Sequence, residues 1–295
     1  MKDEREDAPY VMATAALDRA APLRTSLLHL LLIALAAVAL VPLVWLVCAC
    51  FKTQEDLFAY AFLPWHDLRR LTLDNFRALF AREPVGRWLV NSLLVSSLQT
   101  VLVVTLSSLG GFALAKYHFA GRRVVMALML ATMLLPGIVL LPSSWLLMYH
   151  LGWLNGYAAV IVPGSVSAFG TFLFMQAMAS VPDELLEAGR VDGCSELRLW
   201  WDLALPVVRP MVGAYTLLAF TASWNSFLWP RVVLQNEAKY TLPLGLSGMI
   251  GVREFDTQYG VLMCGTLIAI LPVVLLFTAL QRDFVSGLAA GAVKG

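Results

Sequence analysis

The sequence Glu187-Ala188-Gly189-Arg190-Val191-Asp192-Gly193 and, nine residues later, Leu203-Ala204-Leu205-Pro206 form one polar segment between two long apolar stretches. In the whole chain, 59% of the residues are hydrophobic and 14% are charged. Soluble domains carry roughly 25% charged residues, so water is not the main solvent of this chain. The pattern predicts an all-α, polytopic membrane protein in which the segment 181–209 is a loop outside the membrane.

Apolar runs without charged residues predict six transmembrane helices. A helix needs about 20 apolar residues to cross the hydrocarbon core. Four runs are each long enough for one span: Thr25–Phe51, Trp88–Ala115, Met211–Pro230 and Thr257–Gln281. A fifth run, Val124–Pro182, is long enough for two spans, and turn-forming residues predict a break at Tyr149–Tyr157. We assign 25–281 to the membrane domain, and 1–24 and 282–295 to terminal tails.

Local signals divide the loop into two short helices. Pro182 followed by Asp183 predicts the start of the first helix, and Gly193 predicts its end. Ser195 is a good N-cap for a second helix, which we expect to stop before Pro206. Six large apolar side chains are expected to give the loop an exposed apolar surface: Leu185, Leu186, Leu197, Trp200, Trp201 and Leu203. Such a surface predicts a protein partner, and the alternative is a loop lying on its own bundle or on lipid headgroups.

The loop resembles the EAA loop of ABC importer permeases, whose pattern is Glu-Ala-Ala, three residues, Gly, nine residues and Ile-x-Leu-Pro. Every spacing is kept, although Gly189 stands where the second Ala is usual and Leu203 stands where Ile is usual. In that family an ATPase subunit moves the transmembrane helices through this cytoplasmic loop. The resemblance therefore implies a type I importer permease fold with these coupling residues: Glu187, Ala188, Gly189, Asp192, Gly193, Leu205 and Pro206.

Two further stretches are similar to permeases of carbohydrate importers. Trp224-Asn225-Ser226-Phe227-Leu228-Trp229-Pro230 resembles a Trp-Asn-x-Phe-Leu-Trp-Pro segment of their fifth span, and 280–295 resembles the C-terminus of the second permease subunit in the maltose importers. This resemblance implies a complex in the prokaryotic cytoplasmic membrane, surrounded by lipid. Its other members would be a second, unlike permease, two copies of an ATPase subunit and an extracytoplasmic solute-binding protein. It also implies a contact of Val293, Lys294 and Gly295 with the ATPase.

Trp224 and Asn225 are the candidates for the substrate path, because an aromatic face and an amide suit the CH surface and the hydroxyls of a sugar. Asn225 could instead only bond a neighbouring helix. Gln99, Asn91 and Gln176 are weaker candidates of the same kind. The predicted solute is a sugar or sugar-like molecule, and the alternative is glycerol phosphate or a glycerophosphodiester.

Missing motifs disfavour other classes of function. The sequence has no G-x-x-x-x-G-K-[ST] loop, so ATP and Mg²⁺ are expected in the partner ATPase subunits and no cofactor in this chain. Neither a nucleophile elbow nor a metal-ligand spacing occurs, which predicts no catalytic residue and no metal site. A secondary transporter generally has ionisable residues in its spans, and the six predicted spans have none. No nucleic-acid partner is expected.

The distribution of Lys and Arg favours cytoplasmic termini by a small majority, and the short Lys116–Arg123 loop supports that orientation. We interpret the first apolar run as a span and not as a signal peptide, because it is long and follows a charged tail. The segment Arg231–Gln258 is then extracytoplasmic. Its glycines, Gly245, Gly248 and Gly251, predict a pliable loop. The resemblance to the maltose importers implies that it helps to eject the solute from the docked solute-binding protein, and the alternative is a solvated connector.

Two patterns predict how the spans pack. Ser107, Gly111 and Ala115 form a small-residue face that lets a second helix approach closely. Four prolines are expected to break intrahelical hydrogen bonds in or near the spans: Pro136, Pro142, Pro163 and Pro272.

Overall fold

The computed structural model describes residues 8–250 and 258–292, with side chains described in 24–250 and 258–285. All regular structure in these residues is helical, which confirms the all-α prediction. Met1–Asp7 and the predicted ATPase contact Val293, Lys294 and Gly295 lie outside the described residues. The chain divides into two compact units, Met1–Asn75 and Phe76–Gly295.

The first unit consists of one long helix followed by a short polar subdomain. Helix α1 (Ala8–Cys50) begins well before the predicted span, so residues 8–24 of the predicted tail are helical. Side chains 24–44 are all exposed, and most are apolar on every face of the helix. A helix that is apolar all round belongs in a membrane, and Arg24–Cys50 meets the length and composition of a span.

After α1, side chains hold the chain in place more than regular structure does. The buried Lys52 ammonium donates to the carbonyls of Leu57 and Tyr60, at 3.3 and 2.6 Å. Arg70 donates twice to the buried carboxylate of Asp56, at 2.9 and 2.5 Å. Around these contacts lie α2 (Asp56–Ala59), a 3₁₀ turn (Leu68–Arg70) and the start of α3 (Asp74–Arg82). Each buried charge is paired or hydrogen-bonded, as burial requires.

The second unit is built around one long central helix, α4 (Val85–Lys116), which packs against α8 and α12, while α15 packs on α12. Its other helices are α5 (Arg122–Met133), α6 (Leu141–His150), α7 (Tyr157–Ile161), α8 (Ala168–Met178), α9 (Asp183–Val191), α10 (Glu196–Arg198), α11 (Leu205–Val207), α12 (Arg209–Trp224), α13 (Leu228–Val233), α14 (Leu242–Gly248) and α15 (Tyr259–Ala292). The predicted C-terminal tail is therefore helical as far as Ala292.

Three helices, α1, α4 and α15, are long and apolar enough to cross a membrane without interruption, and three bent helix pairs bring the number to six if each is one span. The prediction of six spans is thus confirmed. The turn expected at Tyr149–Tyr157 is also confirmed, since α6 ends at His150 and α7 begins at Tyr157. The predicted fifth span is interrupted between α12 and α13.

Only two of the four prolines lie at helix breaks. Pro136 precedes the 3₁₀ turn Gly137–Leu140, where the third span bends by 95°, and Pro163 begins the 3₁₀ turn before the 41° bend of the fourth span. Pro142 lies in the first turn of α6, where its missing N–H is not needed. Pro272 lies inside α15 without ending it. Pro272 still removes one backbone hydrogen bond of α15, as expected, so the prediction of broken intrahelical bonds is wrong only for Pro142.

The small-residue face of α4 packs against α8, as predicted. A Cβ at Gly111 would lie 2.5 Å from the Phe174 Cβ and 2.6 Å from the Met175 backbone nitrogen. No side chain fits there, because the obstacle is backbone and not the mobile end of a side chain. One turn earlier, buried Ser107 lies close to Gly170 of α8.

The segment Arg231–Gln258 is not pliable in its described part, so that prediction is wrong for 231–250. A Cβ at Gly245 would lie 2.3 Å from the ring of Trp88, so this glycine permits close approach and does not provide flexibility. The Trp88 N–H donates to the Glu237 carbonyl at 3.2 Å, and the Asn91 amide donates to the Ala238 and Tyr240 carbonyls at 3.0 and 2.9 Å. These bonds attach the segment to the first turns of α4. Residues 251–257 lie outside the described residues.

We expect Gly111→Ala to lower the thermal unfolding temperature of the purified complex, because overpacking against backbone typically costs about 1–3 kcal/mol. The matched control is Gly86→Ala on the same helix, where nothing lies within 4 Å of the added Cβ. The control should unfold at or above the wild-type temperature, since Ala favours helix. Equal unfolding temperatures for the two variants would contradict the close α4–α8 contact.

Candidate functional site

The loop 181–209 is a pair of short helices joined by a tight turn at Gly193. Helix α9 ends in a left-handed residue, Gly193, whose φ is +80°. The N–H of Cys194 donates to the Gly189 carbonyl at 2.9 Å, and the N–H of Gly193 donates to the Arg190 carbonyl at 3.0 Å. These two bonds form a Schellman cap. The cap favours glycine because a positive φ is sterically unfavourable for residues that have a Cβ. The predicted helix end at Gly193 is confirmed.

The second helix of the loop does not stop before Pro206, so that prediction is wrong. It begins at Glu196, widens into a π-helix over Leu199–Ala204 and continues through Pro206 to Val207. Proline has no N–H for the carbonyl four residues earlier, and its ring crowds that carbonyl. The wider turn immediately before Pro206 accommodates both effects. The chain then turns by 89° into α12.

A lysine at the end of α4 anchors the start of α9. The Lys116 ammonium donates to the Asp183 carboxylate at 2.7 Å and to the Val181 carbonyl at 2.5 Å. The hydrogen bond from Lys116 lowers the pKa of Asp183. The loop is therefore fixed to the end of the central helix by a charged, hydrogen-bonded contact.

Arg190, Glu196 and Tyr117 hold the two loop helices together across the Gly193 turn. Arg190 donates to both carboxylate oxygens of Glu196, at 3.0 and 3.2 Å, and the Tyr117 hydroxyl donates to the same carboxylate. The pKa of Glu196 is lowered, mainly by Arg190 and then by Tyr117. Burial is the main cause that raises the pKa of Tyr117. We call these three residues with Lys116 and Asp183 the loop clamp.

Sequence analysis did not assign the clamp residues to the site. The opposite charges of Arg190 and Glu196 on either side of the turn were a usable signal for one contact. Nothing in the sequence brings Lys116 or Tyr117 to the loop, because both precede it by more than 60 residues along the chain.

The apolar side of the loop packs on the bundle, which corrects the expected exposure. Leu186 and Trp200 are buried in a cluster with Phe174 and Tyr215, and Leu185 and Leu203 are half-buried. Among the six predicted side chains, only Leu197 and Trp201 are well exposed, at 67% and 62%. Val191, which the analysis did not single out, is 88% exposed. The exposed apolar surface is therefore smaller than predicted.

Gly189 permits the closest contact between the two loop helices. A Cβ at this position would lie 2.6 Å from the Leu199 Cδ2 and 2.8 Å from the Leu203 Cδ1. Gly189 itself is buried, and Leu205 is half-buried. The remaining motif residues lie on the exposed side: Glu187, Ala188, Asp192, Gly193 and Pro206. The structure thus brings the predicted coupling residues together on one loop.

A cavity of about 250 Å³ separates part of the second loop helix from the bundle. Trp200 of that helix, Thr100 of α4 and Val212 of α12 contribute to its lining. The Trp200 indole N–H and the Thr100 hydroxyl are buried without a hydrogen-bond partner among the described residues. The second loop helix therefore packs Leu199, Trp200 and Ala204 into the apolar cluster but leaves polar atoms unsatisfied beside the cavity.

The predicted substrate-path residues lie at the end of α12. Trp224 is buried, stacks on Phe220 and donates its indole N–H to the Ala269 carbonyl at 3.0 Å, while Asn225 is exposed. Neither residue lines the nearby 490 Å³ cavity, although Gln99 does. Gln176 is exposed, and Asn91 is bonded to the segment described above. A substrate role for Trp224 and Asn225 stays a prediction.

In the described part of the chain, no three His, Cys, Asp or Glu side chains come together in a group that could hold a metal ion. The four cysteines, all of which lie in the described residues, form no disulfide.

Comparison with known proteins places the chain in a family. Residues 107–288 match the family described as the binding-protein-dependent transport system inner membrane component. The chain is 36% identical to the arabinooligosaccharides transport system permease protein AraQ of Halalkalibacterium halodurans, over 88% of this chain and 93% of that protein. It is 31% identical to the sn-glycerol-3-phosphate transport system permease protein UgpE of Salmonella typhi, over 88% of this chain and 94% of that protein.

The fold resembles a chain in the crystal structure of a bacterial ABC transporter involved in the import of the acidic polysaccharide alginate. The TM-score is 0.74, with 21% identity, and the match covers 96% of this chain and 99% of that one. This likeness supports the fold, and the family match and the relatives identify the class of protein. The chain belongs to the inner membrane components of binding-protein-dependent transport systems, the permease subunits of ABC importers.

Proposed function

We propose that this chain is the permease subunit of an ATP-driven importer for a sugar and that it works by alternating access. The loop 181–209 would receive the motion of a partner ATPase and pass it to the membrane helices. The family match, which covers both the loop and the bundle, supports the transport role. The name of the AraQ relative supports a sugar as solute.

The loop clamp is the observation on which the coupling proposal depends. Force applied to the tip of the loop reaches α4 through Lys116 and Tyr117, and it reaches α12 directly along the chain. A loop tethered only by its two ends would move without displacing the helices. Charge-assisted hydrogen bonds with fixed geometry resist such independent movement.

The exposed tip of the loop provides the surface for the ATPase. Val191 and Leu197 are apolar and exposed, and Glu187 and Asp192 lie close to them in sequence. A small apolar centre with a polar rim is the usual composition of an interface core. Two ATPase copies, a second, unlike permease and an extracytoplasmic solute-binding protein complete the proposed complex in the lipid membrane. ATP and Mg²⁺ would bind to the ATPase subunits.

Three further roles carried over from the sequence resemblance remain proposals. Val293, Lys294 and Gly295 would contact the ATPase, and Trp224 and Asn225 would contribute to the substrate path. The termini would be cytoplasmic, with the loop 181–209 on the same side.

The second candidate function is import of glycerol phosphate. The similarity to UgpE supports this candidate. The alignment with UgpE covers the same share of this chain as the alignment with AraQ, and its sequence identity is somewhat lower. The two candidates differ in the charge of the solute, and the lining of the path must match that charge.

We expect Gly193→Val to lower solute uptake and solute-stimulated ATPase activity about tenfold in the reconstituted complex, because a β-branched residue resists the positive φ of the cap. Glu187→Lys, which reverses a charge on the exposed side, should act in the same direction. The matched control is Gly121→Val, in another connecting loop, where φ is +87° and the added side chain also meets nothing within 4 Å. Normal coupling in Gly193→Val, or equal loss in both glycine variants, would contradict a specific role of the loop.

The two departures from the family pattern compensate for each other. Gly189 replaces an alanine and Leu203 replaces an isoleucine, and a methyl group added at Gly189 would meet the Cδ1 of Leu203. Isoleucine carries its branch at Cβ and reaches less far along the same direction than leucine. The longer leucine therefore occupies the space that an alanine methyl would take.

We expect Gly189→Ala alone to destabilise the packing of the loop by about 1–2 kcal/mol and Leu203→Ile to restore part of that loss in the double variant, since the Leu199 Cδ2 would still lie 2.6 Å from the added methyl group. Hydrogen exchange of the 181–209 amides in the complex measures the effect. The control is Gly189→Ala with Leu197→Ile, since Leu197 is exposed on the same helix and should not rescue. Additive effects of Gly189→Ala and Leu203→Ile would disprove the compensation.

Thiol labelling tests the proposed orientation. Cys194 is partly exposed and the other three cysteines are buried, so the native chain offers one accessible thiol. A membrane-impermeant maleimide should label Cys194 only from the cytoplasmic side of sealed vesicles, and Gln235→Cys in a Cys194→Ser background only from the other side. The reverse pattern would invert the topology and separate the loop from any cytoplasmic ATPase.

A further inference from the structure

Three interrupted spans meet at one cavity in the second unit. Its lining includes Gly137 from the break between α5 and α6, Pro163 and Gly164 from the break between α7 and α8, and Ser226 and Phe227 from the break between α12 and α13. Non-helical backbone at membrane depth is tolerated where it is buried in protein or lines a cavity. Interrupted helices at the level of a solute are a common way to build a transport site.

Measured along α4, the cavity lies closer to the middle of the helix than to either end. Gln99 of α4 borders it, and this residue is roughly 21 Å from Val85 and roughly 26 Å from Lys116 along the helix axis, at about 1.5 Å per residue. Its volume is about 490 Å³, within the range of small-molecule sites.

The lining is polar without being charged. Among the described residues, no Asp, Glu, Lys, Arg or His contributes to it, and its hydrogen-bonding side chains are Gln99, Ser144, Ser223, Ser226 and Thr241. Two aromatic rings, Phe227 and Trp229, complete the set. The Trp229 indole N–H donates to the Ala159 carbonyl at 2.8 Å, which fixes the ring.

Gln99 is held in place at the cavity. Its amide oxygen accepts a hydrogen bond from the Ser223 hydroxyl at 2.8 Å. Gly164 leaves room for its amide nitrogen, since a Cβ there would lie 1.7 Å from that atom. The Ser223 bond uses one of the two lone pairs of the amide oxygen, so Gln99 can offer a ligand its NH₂ group as donor and the second lone pair as acceptor.

Thr241 is the second indication of a ligand. Thr241 is 5% exposed and borders the cavity, and its buried hydroxyl has no hydrogen-bond partner among the described residues. A buried hydroxyl without a partner is costly, and a hydroxyl or ring oxygen of a solute would satisfy it.

We infer that this chain contributes its own binding subsite for an uncharged polyhydroxyl solute, formed by Gln99, Thr241 and Ser226 with Trp229 as the apolar wall. Amide and hydroxyl groups exchange hydrogen bonds with sugar hydroxyls, and an aromatic ring covers the CH face. A phosphate ester does not fit this subsite, because a buried phosphate needs cationic partners and the described residues of the lining include none. The inference rests on the proposed transport function and assigns its solute class.

The test uses the complete complex reconstituted in liposomes with its partner permease, ATPase and solute-binding protein. The probes are arabinotriose, maltotriose, lactose and sn-glycerol 3-phosphate, each assayed for uptake and for stimulation of ATP hydrolysis. The variants are Gln99→Leu, Thr241→Val and Ser226→Ala. The control is Gln281→Leu, a glutamine exposed on α15 that is bonded only to its own helix.

In wild type we expect a neutral saccharide to be the active probe. With that saccharide, Gln99→Leu and Thr241→Val should each raise KM about tenfold, since each removes a hydrogen bond in a buried site. Ser226→Ala should also raise KM. In all three variants, kcat should change less than KM. Gln281→Leu should leave both constants unchanged. If the complex with Gln99→Leu does not assemble, the complex with the nearly isosteric Thr241→Val provides the test.

Two outcomes overturn the subsite while leaving the transport function intact. One is neutral-sugar uptake with KM unchanged in all three cavity variants, and the other is a wild-type complex that responds to sn-glycerol 3-phosphate and to none of the saccharides. A wild-type complex in which docking of the solute-binding protein never stimulates the ATPase would instead refute the proposed function itself.

Discussion

The direct contact of α8 with the backbone of α4 at Gly111 sets the arrangement of the second unit. Because Gly111 has no side chain, the two helices lie closer than any pair of larger residues would allow. Their ends at one side of the bundle are then neighbours, so Lys116 can reach Val181 and Asp183. The same helix face, at Ser107, lies next to Gly170 and Tyr215, which brings α12 into the contact. A side chain at Gly111 would separate the helices on which the loop depends.

The two helices of the loop are held by different contacts. Helix α9 is bound by Lys116 and by its glycine cap, whereas the second helix contains a π turn, packs Leu199, Trp200 and Ala204 into the apolar cluster and borders a cavity. The locally widened helix lowers the cost of a small displacement. The clamp between Arg190 and Glu196 keeps the two helices together during such a displacement. A force on the tip of the loop would therefore displace both loop helices together and act on α4 and α12 at the same time.

The loop and the neutral cavity are connected by α4. Lys116 anchors the loop at one end of this helix, Gln99 borders the cavity near its middle, and Trp88 and Asn91 hold the opposite segment. An uninterrupted helix is stiff along its axis, while the three spans around the cavity are broken at its level. This division gives a rigid connection between the two sites and deformable walls where a solute must enter and leave.

Local patterns in the sequence were sufficient for the spans, for the loop and for the cap at Gly193, because each follows from hydrophobic run length or from the φ that glycine alone adopts easily. The small-residue face at Gly111 was also predictable, since its spacing places it on one side of a helix. The sequence did not predict which helix packs on that face, or that Trp200 is buried. It also did not predict that Gly245 makes room for the ring of Trp88, or that the Tyr117 hydroxyl donates to Glu196. Each of these contacts joins residues far apart in the chain, and only the packing of whole helices brings them together. The cavity at Gln99 was not predictable for the same reason: its amide comes from the continuous helix α4, its hydroxyls and rings come from other elements, and their common location is a property of the tertiary structure alone.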